Sequence, residues 1–337
     1  MRIIVIGGTG FIGGTVVRLL HERGHDMLLF HRKRSIAFPE ITAERHRLPE
    51  FRSDFARFKP DLILDTILSS SRQAETLLST FTGIARRIVA LSSMDAYRAF
   101  GVVNRTESGP PDPIPLTEDS PLRAQPLYPP ERIQLLKSVF EWVDDEYDKV
   151  LVERVLMGDS NFESTILRLP MVYGPGDPLH RFFPVLKRIA DGRSTIILDE
   201  AVAQWRGPRG YVENVAAAIA TAVESAKAEG RIYNVAEPVA FSEYEWTKKI
   251  CQAVNWKGRI EILSSDRVPH HLRFPGNKNQ HAVVDTTRIR RELGYTEVVW
   301  IDEAIFNTIE WERANPPTQI DPRQYDYTAE DRSLLGH

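Results

Sequence analysis

Cysteine is almost absent. The 337 residues hold a single one, Cys251, which excludes an internal disulfide and a cysteine-built metal centre and fits a reducing compartment, the cytoplasm. No apolar run approaches the ~20 residues needed to span a bilayer, so no membrane partner is expected. The opening MRIIVIGGTG lacks the long apolar core of a signal peptide and runs straight into glycines. Neither sign of charge is in excess: 43 Lys+Arg against 46 Asp+Glu leaves −3, which argues against nucleic acid as a partner. Internal repeats and low-complexity tracts are missing. The pair His270-His271 has no cysteine or carboxylate at ligand spacing. Adjacent strand residues also point to opposite faces, so no metal is expected.

What remains is an ordinary globular composition, 42% hydrophobic and 26% charged. The length suggests about two domains at ~150 residues each. Residues 2–6 form a short continuous apolar run, as a buried parallel strand would. Residues 11–23 carry Val16, Val17, Leu19 and Leu20 at helical spacing, and Gly24 stands where a helix end favours positive φ. Further strands are expected at 27–30, 61–68, 87–91, 165–169 and 232–235, and helices at 182–190, 212–226, 244–253 and 301–314. Residues 109–130 are proline-rich loop, and the polar tail from 316 is expected to be extended. Strand and helix alternating in this way imply an α/β fold, a doubly wound parallel sheet.

Gly7-Gly8-Thr9-Gly10-Phe11-Ile12-Gly13 joins the first strand to the first helix. Glycine suits a tight turn, a close approach of backbone to pyrophosphate, and helix packed near strand. The helix N-terminus then offers free N–H groups to the anion.

This turn resembles that of the extended short-chain dehydrogenase/reductases, also called the NAD-dependent epimerase/dehydratases. Three later segments resemble the family's motifs too: Ser92-Ser93-Met94-Asp95-Ala96-Tyr97, Arg168-Leu169-Pro170-Met171-Val172-Tyr173-Gly174-Pro175-Gly176-Asp177, and Arg209-Gly210-Tyr211-Val212-Glu213-Asn214-Val215-Ala216. The resemblance runs to about Ala314. It implies a Rossmann domain over 1–175, joined by 210–240, and a smaller α/β substrate domain over 176–315. It also implies a cofactor site at Gly7, Thr9, Gly10, Phe11, Ile12, Gly13 and Thr66. Asp65, beside Thr66, either approaches the nucleotide or caps the next turn. Self-association into a homodimer is left open.

The family's NAD-binding members end the second strand on an acidic residue. Here that end reads Phe30-His31-Arg32-Lys33-Arg34. A carboxylate repels a 2′-phosphate, whereas a guanidinium grips one. NADP is therefore expected on Arg32, with Lys33 second; NAD is the alternative.

The family's acid–base pair is Tyr-x-x-x-Lys on a helix, with a nearby Ser or Thr. A spacing of four places both side chains on one face. The pattern is broken here. Lys149, with Glu153 four residues later, matches the lysine, which would also hold the nicotinamide ribose; yet Asp145 stands at the tyrosine position. Tyr147 is two residues from Lys149, about 200° round a helix. It can serve if the helix begins near Asp148, with the lysine lowering its pKa; otherwise Tyr128 is the substitute. Ser93 matches the hydroxyl position. Residues 133–143, with Trp142, are expected to be helical and to cover the substrate pocket. His180, Arg181 and Arg206 fall where the family shapes that pocket.

The expected function is an oxidoreductase or epimerase/dehydratase acting on a small polar substrate, nucleotide-sugar or carbohydrate-like. The alternative is a dinucleotide-binding protein with little catalysis, serving as a redox-sensing or RNA-associated module.

Overall fold

The computed structural model describes residues 1–33 and 37–335; Arg34 lies outside them. Among the described residues a seven-stranded parallel sheet runs in the order Ile232–Asn234, Glu163–Leu169, Arg87–Ser93, Leu62–Asp65, Arg2–Ile6, Asp26–His31, Glu40–Thr42. The chain thus builds outward from Arg2–Ile6 in one direction, then returns to build in the other. The crevice where the order reverses, at the carboxyl ends of Arg2–Ile6 and Leu62–Asp65, is where such sheets bind ligands.

Both faces of the sheet are covered, so its strands are apolar throughout. Ile3, Val5, Leu64 and Val89 face a core closed by helices Phe11–Glu22 and Val212–Glu224. Ile4, Ile6, Ile63 and Ile88 face the opposite core, under Ser71–Phe81 and Lys149–Gly158. The first helix stops at Arg23, where Gly24 takes φ 79°. Two small sheets follow: Met171–Tyr173 with Arg209–Tyr211, and Thr195–Asp199 with Arg259–Leu263.

Three segments depart from the sequence expectation. The strand expected over 61–68 ends at Asp65, whose carboxylate accepts from the Ile67 N–H as the chain turns. Pro130 opens a helix, Pro130–Val139, where its missing N–H costs nothing. That helix ends before Trp142, so residues 140–148 form an irregular strap. The tail is not extended throughout: Tyr327–Leu334 is helical, with Asp326 capping the Ala329 N–H. The cause is tertiary. Fully buried Glu330 meets Arg188 at 2.6 Å and His271 at 3.1 Å, partners that local polarity does not reveal. Among the described residues no helix is long and apolar enough to cross a membrane.

Candidate active site

The glycines of the first turn are demanded by their surroundings. Gly7 has φ 87°, and a Cβ there would strike Ile67 and Thr66. A Cβ at Gly13 would strike the Gly7 carbonyl. At Gly10 a Cβ would meet nothing within 4 Å, so this glycine faces open space. That space is a cavity of about 820 Å³, lined by Gly7, Thr9, Gly10, Phe11, Ile12 and Gly13 on one side. Thr66 also lines it, and its hydroxyl donates to the Ile6 and Gly7 carbonyls at 2.9 and 3.0 Å. Asp65 does not line it. Fully buried, it accepts two bonds from Arg45, at 3.0 and 2.6 Å, and one from the Ile67 N–H. It therefore caps the turn and neutralises a neighbouring arginine.

The opposite wall is the strap. Residues 137–145 line the same cavity. Asp144 anchors the strap to the helix Ser71–Phe81 through Arg72 at 3.0 Å and Gln73 at 3.2 Å. Ser69 Oγ accepts from the Asp144 N–H at 2.9 Å. At the far end Glu141 takes Arg32 at 2.6 Å and stands 3.7 Å from Lys33. His31, in place of an acidic strand end, pairs with Glu40 at 2.9 Å. The segment expected over a substrate pocket thus lines the cleft of the glycine turn.

The helix carrying Lys149 begins at Lys149 itself. Asp148 is its cap, accepting from the N–H groups of Val150 and Leu151. Arg123 holds Asp148 at 2.9 Å and donates to the Asp95 carbonyl at 3.0 Å. Tyr147, just outside the helix, escapes the 3.6-residue geometry. Its hydroxyl donates to Asp95 Oδ2 at 2.8 Å, and its ring centre is 5.8 Å from the Lys149 amine. Tyr128 reaches the same oxygen at 3.4 Å. Asp145 points elsewhere, exposed and paired with Lys137 at 2.6 Å.

Electrostatics correct one expectation. Burial, with the Asp95 charge adding to it, pushes the Tyr147 phenol well above its ordinary pKa rather than below it. Burial also pushes the Asp95 carboxyl up and draws the Lys149 ammonium down to about 8. The Lys149 amine donates to the carbonyls of Leu68 and Leu91, the latter at 3.0 Å, with the Trp142 ring 5.2 Å above. Trp142 lines the cavity; Tyr147, Lys149 and Ser93 do not. Tyr147 belongs to the strap itself, and Lys149 lies under its Trp142.

Ser93 Oγ accepts from the Asp95 N–H at 3.2 Å. Glu153 is committed to a buried network rather than to the Lys149 amine. It binds Arg168 at 2.7 Å and accepts from Ser92 Oγ at 2.5 Å. His180 pairs with Glu312 at 2.7 Å and Arg181 with Asp177 at 2.6 Å, while Arg206 donates to the Ala240 carbonyl. None of the three lines the cavity. His271 serves Glu330, and among the described residues no cluster of His, Cys, Asp or Glu could hold a metal.

A family model, the NAD dependent epimerase/dehydratase family, matches residues 3–236. The chain belongs to this family. A curated relative in Streptomyces kanamyceticus, 2′-dehydrokanamycin reductase, is 26% identical over 250 residues, which are 70% of this chain and 62% of that protein. The chain therefore spans less than two thirds of that relative's length. Two solved structures share the fold. One is dTDP-glucose 4,6-dehydratase of Bacillus anthracis in complex with NAD, with TM-score 0.65, 15% identity, and 94% and 97% of the two chains covered. The other is UDP-glucose 4-epimerase of Thermus thermophilus in complex with NAD, with TM-score 0.64, 19% identity, and 94% and 100% covered.

Within the epimerase/dehydratase pattern, sequence reasoning passed over Asp95 and Glu141. Asp95 carried a signal, since an acidic residue two places after the Ser93 hydroxyl ends on the same edge of the sheet. Glu141 carried none, because nothing local pairs it with a strand end 109 residues away.

Proposed function

We propose that the protein is a nicotinamide-dinucleotide oxidoreductase or epimerase/dehydratase whose substrate is a small polar molecule of the nucleotide-sugar or carbohydrate class. The observation that carries this reading is the gathering of Tyr147, Lys149 and Ser93 around Asp95, with the Lys149 amine under the Trp142 ring that lines the cleft of the glycine turn. The cleft fits the cofactor on its own terms: Gly10 leaves open space where pyrophosphate backbone must approach, and the helix that follows has no side chain capping its N-terminus. Gly7, Thr9, Gly10, Phe11, Ile12, Gly13 and Thr66 would hold the dinucleotide, and Arg32 with Lys33 would receive a 2′-phosphate, which favours NADP. When bound, the nicotinamide supplies hydride transfer.

The chain's own groups supply the rest. The Tyr147 hydroxyl delivers the proton to, or withdraws it from, the substrate oxygen. Ser93 donates a hydrogen bond to that oxygen. Lys149 would hold the nicotinamide ribose, exchanging a backbone carbonyl for a ribose hydroxyl. A phenol pushed up in pKa is a neutral donor at pH 7, the form suited to protonating a nascent alkoxide. The names of the relatives, a reductase and two enzymes of nucleotide sugars, support the substrate class.

Calorimetric titration with NADPH and NADH, then nicotinamide absorbance with panels of nucleoside-diphosphate sugars and keto-sugars, tests the reading. Binding of a dinucleotide and turnover of one panel member are expected. Failure of both dinucleotides to bind overturns it.

A further inference from the structure

We infer that Glu141 of the strap is a specificity-determining residue, the carboxylate that competes with a 2′-phosphate for Arg32. The inference rests on the dinucleotide reading of the cleft. The second strand ends on His31, whose ring is taken up by Glu40 and, at 3.4 Å, by the Thr9 hydroxyl. That strand end therefore offers no carboxylate of its own at His31. Glu141 brings one to the same end of the cleft from a segment distant in sequence. Its oxygen is 2.6 Å from the Arg32 guanidinium and 3.7 Å from the Lys33 ammonium, and all three residues line the cavity of the glycine turn.

The pair is built to be exchanged. Both side chains are partly open to water, Arg32 at 36% and Glu141 at 55%, so the bond is a weak, solvent-screened one. A phosphate monoester carries up to about two charges and offers a planar guanidinium a bidentate partner. It can displace one solvated carboxylate, but it must then sit beside that carboxylate. Ribose hydroxyls meet no such conflict, since a carboxylate accepts from them. Glu141 thus lowers affinity for a 2′-phosphorylated dinucleotide and leaves the unphosphorylated one unaffected or slightly favoured.

The test is calorimetric titration of NADP+ and NAD+ into wild type, Glu141→Gln, Arg32→Ala and the double variant. Glu141→Gln is expected to tighten NADP+ by about 3- to 10-fold and to change NAD+ by less than about 2-fold. With Arg32→Ala in the background the Glu141→Gln gain is expected to vanish. If both nucleotides bind but their ratio is the same in wild type and Glu141→Gln, or both tighten alike, the inference falls and the dinucleotide site stands. If neither nucleotide binds any variant, the dinucleotide reading falls and takes the inference with it.

Discussion

Tyr147 donates its hydroxyl to the same Asp95 whose backbone N–H donates to the Ser93 hydroxyl, at 2.8 and 3.2 Å. One residue therefore ties together the phenol and the serine that a family-type acid–base site needs. Lys149 completes the group from the first residue of its helix. The family's spacing of four is abandoned, yet side chains of the same types converge. A tyrosine placed before a helix is oriented by its own contacts, not by the helical repeat.

If Tyr147 carries the proton, Tyr147→Phe should lower kcat by about 100-fold or more while leaving dinucleotide affinity unchanged. Tyr128→Phe, whose hydroxyl is at 3.4 Å from Asp95, should cost far less. Steady-state kinetics with the substrate found by screening, alongside calorimetry, separates the two. Equal losses in both variants would move the proton to the pair as a unit.

The Lys149 ammonium, drawn down to about 8 by burial from an ordinary 10.5, makes stability depend on pH in a defined direction. Below about pH 8 the amine is charged folded and unfolded, and the cost of burying that charge is fully present. Between about 8 and 10.5 the unfolded chain binds more protons than the folded one, so stability rises with pH. The contribution is on the order of 3 kcal/mol. The difference between wild type and Lys149→Met in urea denaturation should shift in favour of wild type by this order as pH climbs through that window. A flat difference would contradict it.

The glycines should separate stability from binding. Gly13→Ala places a methyl against the Gly7 carbonyl and should lower both Tm and dinucleotide affinity. Gly10→Ala meets no protein atom within 4 Å and has ordinary φ of −81°. It should melt like wild type yet lose dinucleotide affinity by about 10-fold or more, because the backbone must approach the pyrophosphate there. Thermal melts and titrations on the same samples check this.

Arg168, buried and bound to Glu153 at 2.7 Å, should be costly to remove. Arg168→Met strands a buried carboxylate and is expected to lose about 3–5 kcal/mol. Replacing Glu153 as well, by Met, should recover part of that loss. Urea denaturation of both singles and the double reads the coupling. Additive losses would show the pair to be independent.

Much of this molecule is decided within short stretches of chain. Residues 2–6 alternate Ile3 and Val5 with Ile4 and Ile6, and both sets are apolar because both faces of a parallel sheet are covered. Gly7 and Gly13 mark the turn partly through local constraints, a positive φ at Gly7 and the Gly7 carbonyl pressed on Gly13. Those need only neighbours in sequence and are legible without coordinates, whereas Thr66 and Ile67 closing on Gly7 and the cavity at Gly10 come from segments far along the chain.

What the tertiary structure alone decided lies between residues far apart. The start of the Lys149 helix depends on Asp148 as cap and on Arg123, 25 residues away, to hold it. The direction of Tyr147 depends on Asp95, 52 residues away, and the helical tail depends on Arg188, 142 residues from Glu330. Glu141 reaches Arg32 only because an irregular strap is carried over the cleft by its anchors on Ser69, Arg72 and Gln73. A buried charge or hydroxyl takes whichever partner the packing brings within reach, and no local pattern encodes a partner supplied by the fold.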